Sequence, residues 1–185
     1  ILYAVAISPD KLPRAAALIR AGAELKIILD NEVAACAIAD FSQRESLPLP
    51  ALIEIDTDNH RSGAKPTDPA LLPLGRTLGD NLAGVLTHAG ESYSARTHDE
   101  IRHYARIERD GIVLAASRLR EAGLGCPIVS MGSTPTALFA ENLDDVTELR
   151  AGVYVFQDLV MAGVSACTVN EIALSVLATV IGHQP

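Results

Sequence analysis

Six short apolar runs punctuate the chain, at residues 1–7, 24–29, 51–56, 82–88, 127–131 and 151–156. Each is bounded by turn or cap residues and several are β-branched, the pattern of strands buried on both faces. Between most of them the apolar period lengthens to that of a helix. Ser8 and Pro9 offer an N-cap and a first-turn proline before Leu12, Ala15, Ala16, Leu18 and Ile19, with Gly22 as the stop. Asp30 is placed to cap a helix carrying Val33, Cys36, Ala37 and Phe41. Thr97, with Glu100 three residues on, forms a capping box ahead of the longest helix. Ile101, Tyr104, Ala105, Ile112, Ala115, Ala116 and Leu119 fall towards one side of it, and Gly111 is expected to bend or divide it.

Alternating strands and helices predict an α/β fold with a parallel sheet and right-handed crossovers. The spacing suits an open doubly wound sheet or part of a (β/α)₈ barrel, and periodicity does not choose between them. Residues 166–170 and 173–181 break the alternation. They are expected to begin a second, mainly β domain, which divides the chain into 1–165 and 166–185.

Composition narrows the function classes. The 185 residues suffice for one domain with a sizeable core, and 49% are apolar against 4% aromatic, with no tryptophan. A net charge of −8 speaks against nucleic acid and anionic membrane surfaces, both of which call for basic patches. Cys36, Cys126 and Cys167 are far apart and form no CxxC, so neither a disulfide framework nor a cysteine zinc cluster is indicated, and a reducing cytoplasm is expected. No apolar run approaches the roughly 18 residues of a membrane span. Both ends are apolar, Ile1 to Ile7 and Ala173 to Ile181, and are read as cuts through a larger protein.

The strongest chemical signal is Pro127 to Thr136, where a buried strand runs into Gly132-Ser133-Thr134-Pro135 and a helix-like stretch. Ser133 or Thr134 can cap that helix, so backbone N–H groups and hydroxyls converge as an anion site; an ordinary capped helix start is the commoner reading. There is no GxxxxGK[ST] and no GxGxxG. A second strand delivers Asp56 and then Arg61 into the loop at its C-terminal end, where α/β active sites lie. A third ends in Thr87-His88-Ala89-Gly90-Glu91-Ser92-Tyr93. His88 is either an acid/base group or a core histidine satisfied by backbone, and Tyr93 is a donor with an apolar body. His98 and His103 have the wrong spacing for one helix face, and no metal site is assigned.

Taken in order, Ile55-Asp56-Thr57-Asp58 with Arg61-Ser62-Gly63, Thr87 to Tyr93, Ser130 to Thr136, and Glu148 to Asp158 resemble the D-threonine aldolase/D-serine dehydratase family, relatives of the alanine racemase barrel. The resemblance spans nearly the whole chain. It implies a (β/α)₈ barrel, incomplete here and holding about the third to the eighth strand, with pyridoxal 5'-phosphate at the C-terminal ends of the strands. Arg61 matches an arginine near the cofactor's phenolic oxygen, and Tyr93 a tyrosine beside it. Gly132, Ser133 and Thr134 match a phosphate-binding turn, while Gly152, Val153 and Tyr154 match a second phosphate segment. His88 is assigned to the substrate side. Arg150 aligns with the arginine that faces the pyridine nitrogen in the racemase branch, where a guanidinium would leave that nitrogen unprotonated.

The family pattern often has Gly at Asp58, Pro at Ala151 and Asn at Val153, so the substrate is less defined than the cofactor. By the same resemblance the Schiff-base lysine lies upstream of Ile1, and a divalent metal would be bound by a C-terminal β domain beyond Pro185. Lys11, Lys26 and Lys65 sit in no matching motif. The implied activity is a homodimeric lyase, aldolase or dehydratase, acting on a D-β-hydroxy amino acid such as D-threonine or D-serine. An amino-acid racemase or a non-catalytic cofactor carrier are the alternatives, and the fragment alone is expected to be inactive.

Overall fold

Five of the six apolar runs become strands in the computed structural model, which describes residues 1–183. They are β1 (Leu2–Ala6), β2 (Lys26–Leu29), β3 (Ala51–Glu54), β4 (Leu82–Leu86) and β5 (Ile128–Met131). The last strand is displaced from its expected place: β6 is only Glu148–Leu149, and 151–156 contains a 3-10 turn, Val153–Val155, instead. β6 pairs with β5 through Ser130 and Met131, and Arg150 N–H closes the ladder on the Met131 carbonyl at 2.7 Å. Beyond that point the backbone has left the sheet. The β-branched run then has no neighbouring strand to pack on, and Tyr154, Val155 and Phe156 stand exposed.

All six strands are parallel and lie in sequence order, β1-β2-β3-β4-β5-β6. A doubly wound sheet reverses its order about a switch point. Unbroken winding in one direction is the arrangement of a barrel wall, and it resolves the ambiguity of the sequence pattern. Side chains alternate across this wall. Ile27, Leu29, Ile53, Val85, Val129 and Met131 point to the helices and join Leu12, Ile38, Leu71, Ile112 and Leu119 in the main core. Ile28, Leu52 and Leu86 line the other face, with Leu2 and Ile128 packed beside them.

The helices are α1 (Leu12–Arg20), α2 (Glu32–Glu45), α3 (Leu71–Leu78), α4 (His98–Glu121), α5 (Thr134–Phe139) and α6 (Leu159–Gly163). Ser8 precedes a 3-10 turn, Pro9–Lys11, and its hydroxyl turns to the Asp10 carboxylate rather than to backbone. The cap of α2 is Asn31 and not Asp30, because Asn31 is the extended residue whose Oδ1 reaches the Ala34 N–H, at 2.9 Å. The Thr97–Glu100 capping box of α4 forms as expected. Gly111 does not divide α4, which runs unbroken from His98 to Glu121. It is a close-approach residue, where an added Cβ would come within 2.7 Å of the Thr57 side chain. Residues 166–183 hold one 3-10 turn, Val169–Glu171, and no strand; Gln184 and Pro185 of the expected second domain lie outside the described residues. No helix among the described residues is long and apolar enough to cross a membrane.

Candidate active site

The loops leaving β4, β5 and β6 gather at one end of the sheet, around a cleft of about 460 Å³. His88, Tyr93, Ser133, Thr134, Arg150 and Gly152 are in its lining.

The floor is the turn after β5. Gly132 has φ +129°, and a Cβ there would lie 2.2 Å from the Arg150 carbonyl oxygen. Only glycine lets the turn come this close to the strand beside it. Ser133 then caps α5 in a reciprocal box: its Oγ accepts the Thr136 N–H at 3.3 Å, and Thr136 Oγ1 accepts the Ser133 N–H at 3.0 Å. The Ser133 hydroxyl also meets Ser92 Oγ at 2.8 Å, so it is engaged inward. Thr134 differs. Its Oγ1 is buried in the cleft wall with no hydrogen-bond partner. Leaving such a hydroxyl unpaired costs about 1–3 kcal/mol, so Thr134 is a donor that an acceptor in the cleft would satisfy.

The segment after β4 supplies His88 and Tyr93, stacked with ring centroids 6.0 Å apart. Burial raises the Tyr93 phenol above its ordinary pKa, against the opposing pull of the Thr134 backbone N–H. His88 Nδ1 lies 3.1 Å from the Gly132 carbonyl, which makes Nδ1 the donor and leaves Nε2 an acceptor. Burial, and then the Arg61 charge, lower the His88 pKa below its ordinary 6.5. The expected backbone bond of His88 is made, and its ring also lines the cleft. Because the folded state resists protonation, the stability His88 contributes is present above about pH 6.5 and falls as pH drops through that value. An NMR titration of the full-length protein should place its midpoint below 6.5; a midpoint above that would contradict the geometry.

Arg61 stands exposed on the loop after β3, outside the cleft lining, yet its charge reaches His88, Tyr93 and Glu54. Asp56 shapes that loop by accepting the Asn59 N–H at 2.8 Å and the Lys65 ammonium. Asp58 accepts the Glu91 N–H at 2.9 Å, and His60 Nδ1 sits 2.9 Å from the Glu91 carboxylate, so the β3 and β4 loops are tied together. After β6, Gly152 and Val153 line the cleft, while Tyr154 is 53% exposed and does not.

Arg150 forms part of the wall. Its guanidinium donates to the Thr87 carbonyl and to Ser130 Oγ, and Ser130 in turn donates to Glu148. Burial lowers its pKa, against the pull of Glu108, Glu148 and Glu54. One residue of the site belongs to none of the sequence motifs. Glu108 is 0% exposed inside the apolar stripe of α4, and its Oε1 accepts the Ala89 N–H at 2.8 Å and the Gly132 N–H at 3.0 Å. An acidic residue at a stripe position between Ala105 and Ile112 was the available signal. No group of three metal-ligating side chains occurs among the described residues.

A singly wound parallel wall of six strands with its cleft at the strand C-terminal ends is part of a (β/α) barrel. A family model for the alanine racemase N-terminal domain matches residues 2–159, and the chain belongs to that family. It is 56% identical over 188 residues to D-threo-3-hydroxyaspartate dehydratase of Delftia sp. strain HT23, covering 100% of this chain and 50% of that protein. The solved structure of that enzyme superposes with a TM-score of 0.95. D-serine dehydratase of Dictyostelium discoideum is 26% identical, covering 100% of this chain and 51% of that protein. A D-threonine aldolase structure from Filomicrobium marinum, 25% identical, aligns with a TM-score of 0.75 over 85% of this chain and 43% of that one. The chain spans about half the length of the curated relatives it matches.

Proposed function

We propose that this chain forms the phosphate- and ring-binding side of the active site of a pyridoxal-phosphate-dependent lyase, a dehydratase of D-configured β-hydroxy amino acids. The observation that carries the reading is Thr134 Oγ1, a buried hydroxyl without a partner in a cleft whose floor requires glycine at 132. A phosphate would satisfy it. The 56% identity to a dehydratase over the full chain favours dehydration over aldol cleavage.

In this reading Thr134 donates to the phosphate, with Gly132 and Gly152 keeping the cleft open to it. Tyr93 supplies a neutral phenol next to them, and Arg61 keeps positive charge at the phenolic side of the ring. His88, neutral near pH 7, faces the substrate with a free acceptor nitrogen and can hold or take up a proton there. Pyridoxal phosphate, when bound, supplies the electron sink that loss of a Cα proton and a β-hydroxyl requires. The residue that anchors it covalently and the ligands of a divalent metal belong, on this reading, to parts of the protein outside this chain. We also place the protein in the cytoplasm as a homodimer.

The test uses full-length protein and D-threo-3-hydroxyaspartate. Ammonium and a 2-oxo acid are the expected products; interconversion of enantiomers would mark a racemase, and bound cofactor without turnover a carrier. Thr134→Val should weaken pyridoxal phosphate about 10- to 100-fold, the worth of a hydrogen bond to a charged group of roughly 1.5–3 kcal/mol. Adding Arg61→Ala should remove the visible cofactor band. An unchanged band in the double variant would sink the assigned cradle.

A further inference from the structure

The loop after β3 is braced within itself before it touches its neighbour. Its base is closed by two backbone bonds, Ala64 N–H to the Glu54 carbonyl at 2.9 Å and Asp56 N–H to the Ala64 carbonyl at 3.0 Å. Inside it, the Lys65 ammonium joins the Asp56 carboxylate to Asn59 Oδ1, which lies 2.6 Å away. Gly63, at φ +132°, packs so near the base that an added Cβ would meet the Asp56 nitrogen at 2.7 Å. A loop braced in this way moves as one piece. The direction in which it holds Arg61 is set where it is tied outward.

Near the sheet, the Thr57 and Thr87 hydroxyls meet at 3.1 Å. Further out the tie is a closed ring. The Asp58 carboxylate accepts the His60 N–H of its own loop at 3.3 Å and the Glu91 N–H of the β4 loop at 2.9 Å. Glu91 answers through its side chain, whose Oε1 lies 2.9 Å from His60 Nδ1. A carboxylate can only accept, so Nδ1 carries the hydrogen and the bond does not depend on the charge of the imidazole. The His60 ring is seated on Gly90, where an added Cβ would come within 2.7 Å of His60 Cγ and 2.9 Å of Nε2. Glycine at 90 is what admits the ring. An exposed pair of this kind contributes only about 0–1 kcal/mol alone. Three bonds and a seated imidazole closed into one ring act together.

We propose that the Asp58–His60–Glu91 ring is a latch that fixes the Arg61 loop against the cleft, with His60 and Glu91 as positioning residues for the arginine. Arg61 follows His60 directly in the chain. Gly90 and Glu91 stand between His88 and Tyr93, the two cleft residues that feel the Arg61 charge. The latch thus joins the cation to the aromatic wall it acts on, through side chains that stay out of the cleft lining. The latch itself stands on these contacts; its consequence for the cofactor rests on the function proposed above.

Two substitutions in the full-length protein open the latch by different routes. Glu91→Ala removes the acceptor of His60, while Gly90→Ala expels the ring and leaves every charge in place. Glu91→Gln keeps the acceptor oxygen without its charge. An NMR titration of His88 reads the loop. Burial and the Arg61 and Arg150 charges hold its midpoint below 6.5, against the pull of the Gly132 carbonyl and Asp58. Freeing the loop therefore raises the midpoint, whereas losing a carboxylate's charge alone lowers it. The midpoint should rise towards 6.5 in Glu91→Ala and in Gly90→Ala, and stay at or below the wild-type value in Glu91→Gln. His60→Ala should raise it too, and adding Gly90→Ala to that variant should change nothing further, since no ring is left to displace. A midpoint that fails to rise in either opening variant, or a glutamine that behaves as alanine, overturns the latch. Titration with pyridoxal phosphate reads the positioning role. Glu91→Ala and Gly90→Ala should each bind about tenfold more weakly than wild type, and Glu91→Gln within about twofold of it. Unchanged affinity in the opened variants overturns that role. Failure of the wild type to bind any cofactor overturns the functional reading instead, with the His88 midpoint still reporting on the latch.

Discussion

Gly132→Ala is expected to cost the protein about 3 kcal/mol or more and to abolish cofactor binding. Two independent penalties meet at this residue. Its φ of +129° is a conformation that a side chain makes strained, worth about 1–3 kcal/mol. The new Cβ would also stand 2.2 Å from the Arg150 carbonyl oxygen and 2.9 Å from the Arg150 nitrogen. Those atoms are backbone, so relief requires the turn and β6 to separate, at a further ~1–3 kcal/mol. Separation breaks the Arg150 N–H bond to Met131 and withdraws the Gly132 N–H from Glu108. The measurement is a urea unfolding midpoint alongside a cofactor titration. A midpoint that stays put would show that the turn is not packed as described.

Arg150→Met should destabilise the protein by about 3 kcal/mol, the scale of losing two hydrogen bonds from a buried charged group at roughly 1.5–3 kcal/mol each. The Thr87 carbonyl and the Ser130 hydroxyl each lose their donor. Glu108 and Glu54 lose a nearby cation, so their carboxyls should titrate higher. Arg150→Lys should recover only part of the loss. An ammonium is a point charge on a flexible stem, whereas the guanidinium fork serves both acceptors at once. Recovery of full stability by lysine would show that charge alone matters here. Unfolding midpoints of the two variants, compared with wild type, separate these outcomes.

The site was legible in proportion to how local its geometry is. The Gly132-Ser133-Thr134-Pro135 turn could be read because a cap, a first-turn proline and a glycine are neighbours in sequence, and the structure forms the capping box there. The division of labour between its two hydroxyls could not be. Ser133 turns inward because Ser92, 41 residues away, meets it, and Thr134 is left unpaired. Glu108 lies 19 and 24 residues from the two backbone N–H groups it holds, and nothing near it in sequence announces them.

Much the same division runs through the fold. Apolar runs and caps placed β1 to β5 and the start of α4, since buried strands and helix termini write themselves into neighbouring residues. The run at 151–156 misled because β-branched residues favour a strand only where another strand is there to pair. The chain leaves the sheet at Arg150, and that exit depends on Gly132 and Met131 alongside it. By itself the sequence determined an α/β chain, its strand ends and the residues able to face an anion. The tertiary structure alone decided that the strands wind in one direction, and which hydroxyl is free. It also decided that a carboxyl on α4 supports the turn. Each of these depends on contacts between segments far apart in the chain, where local propensity carries no information.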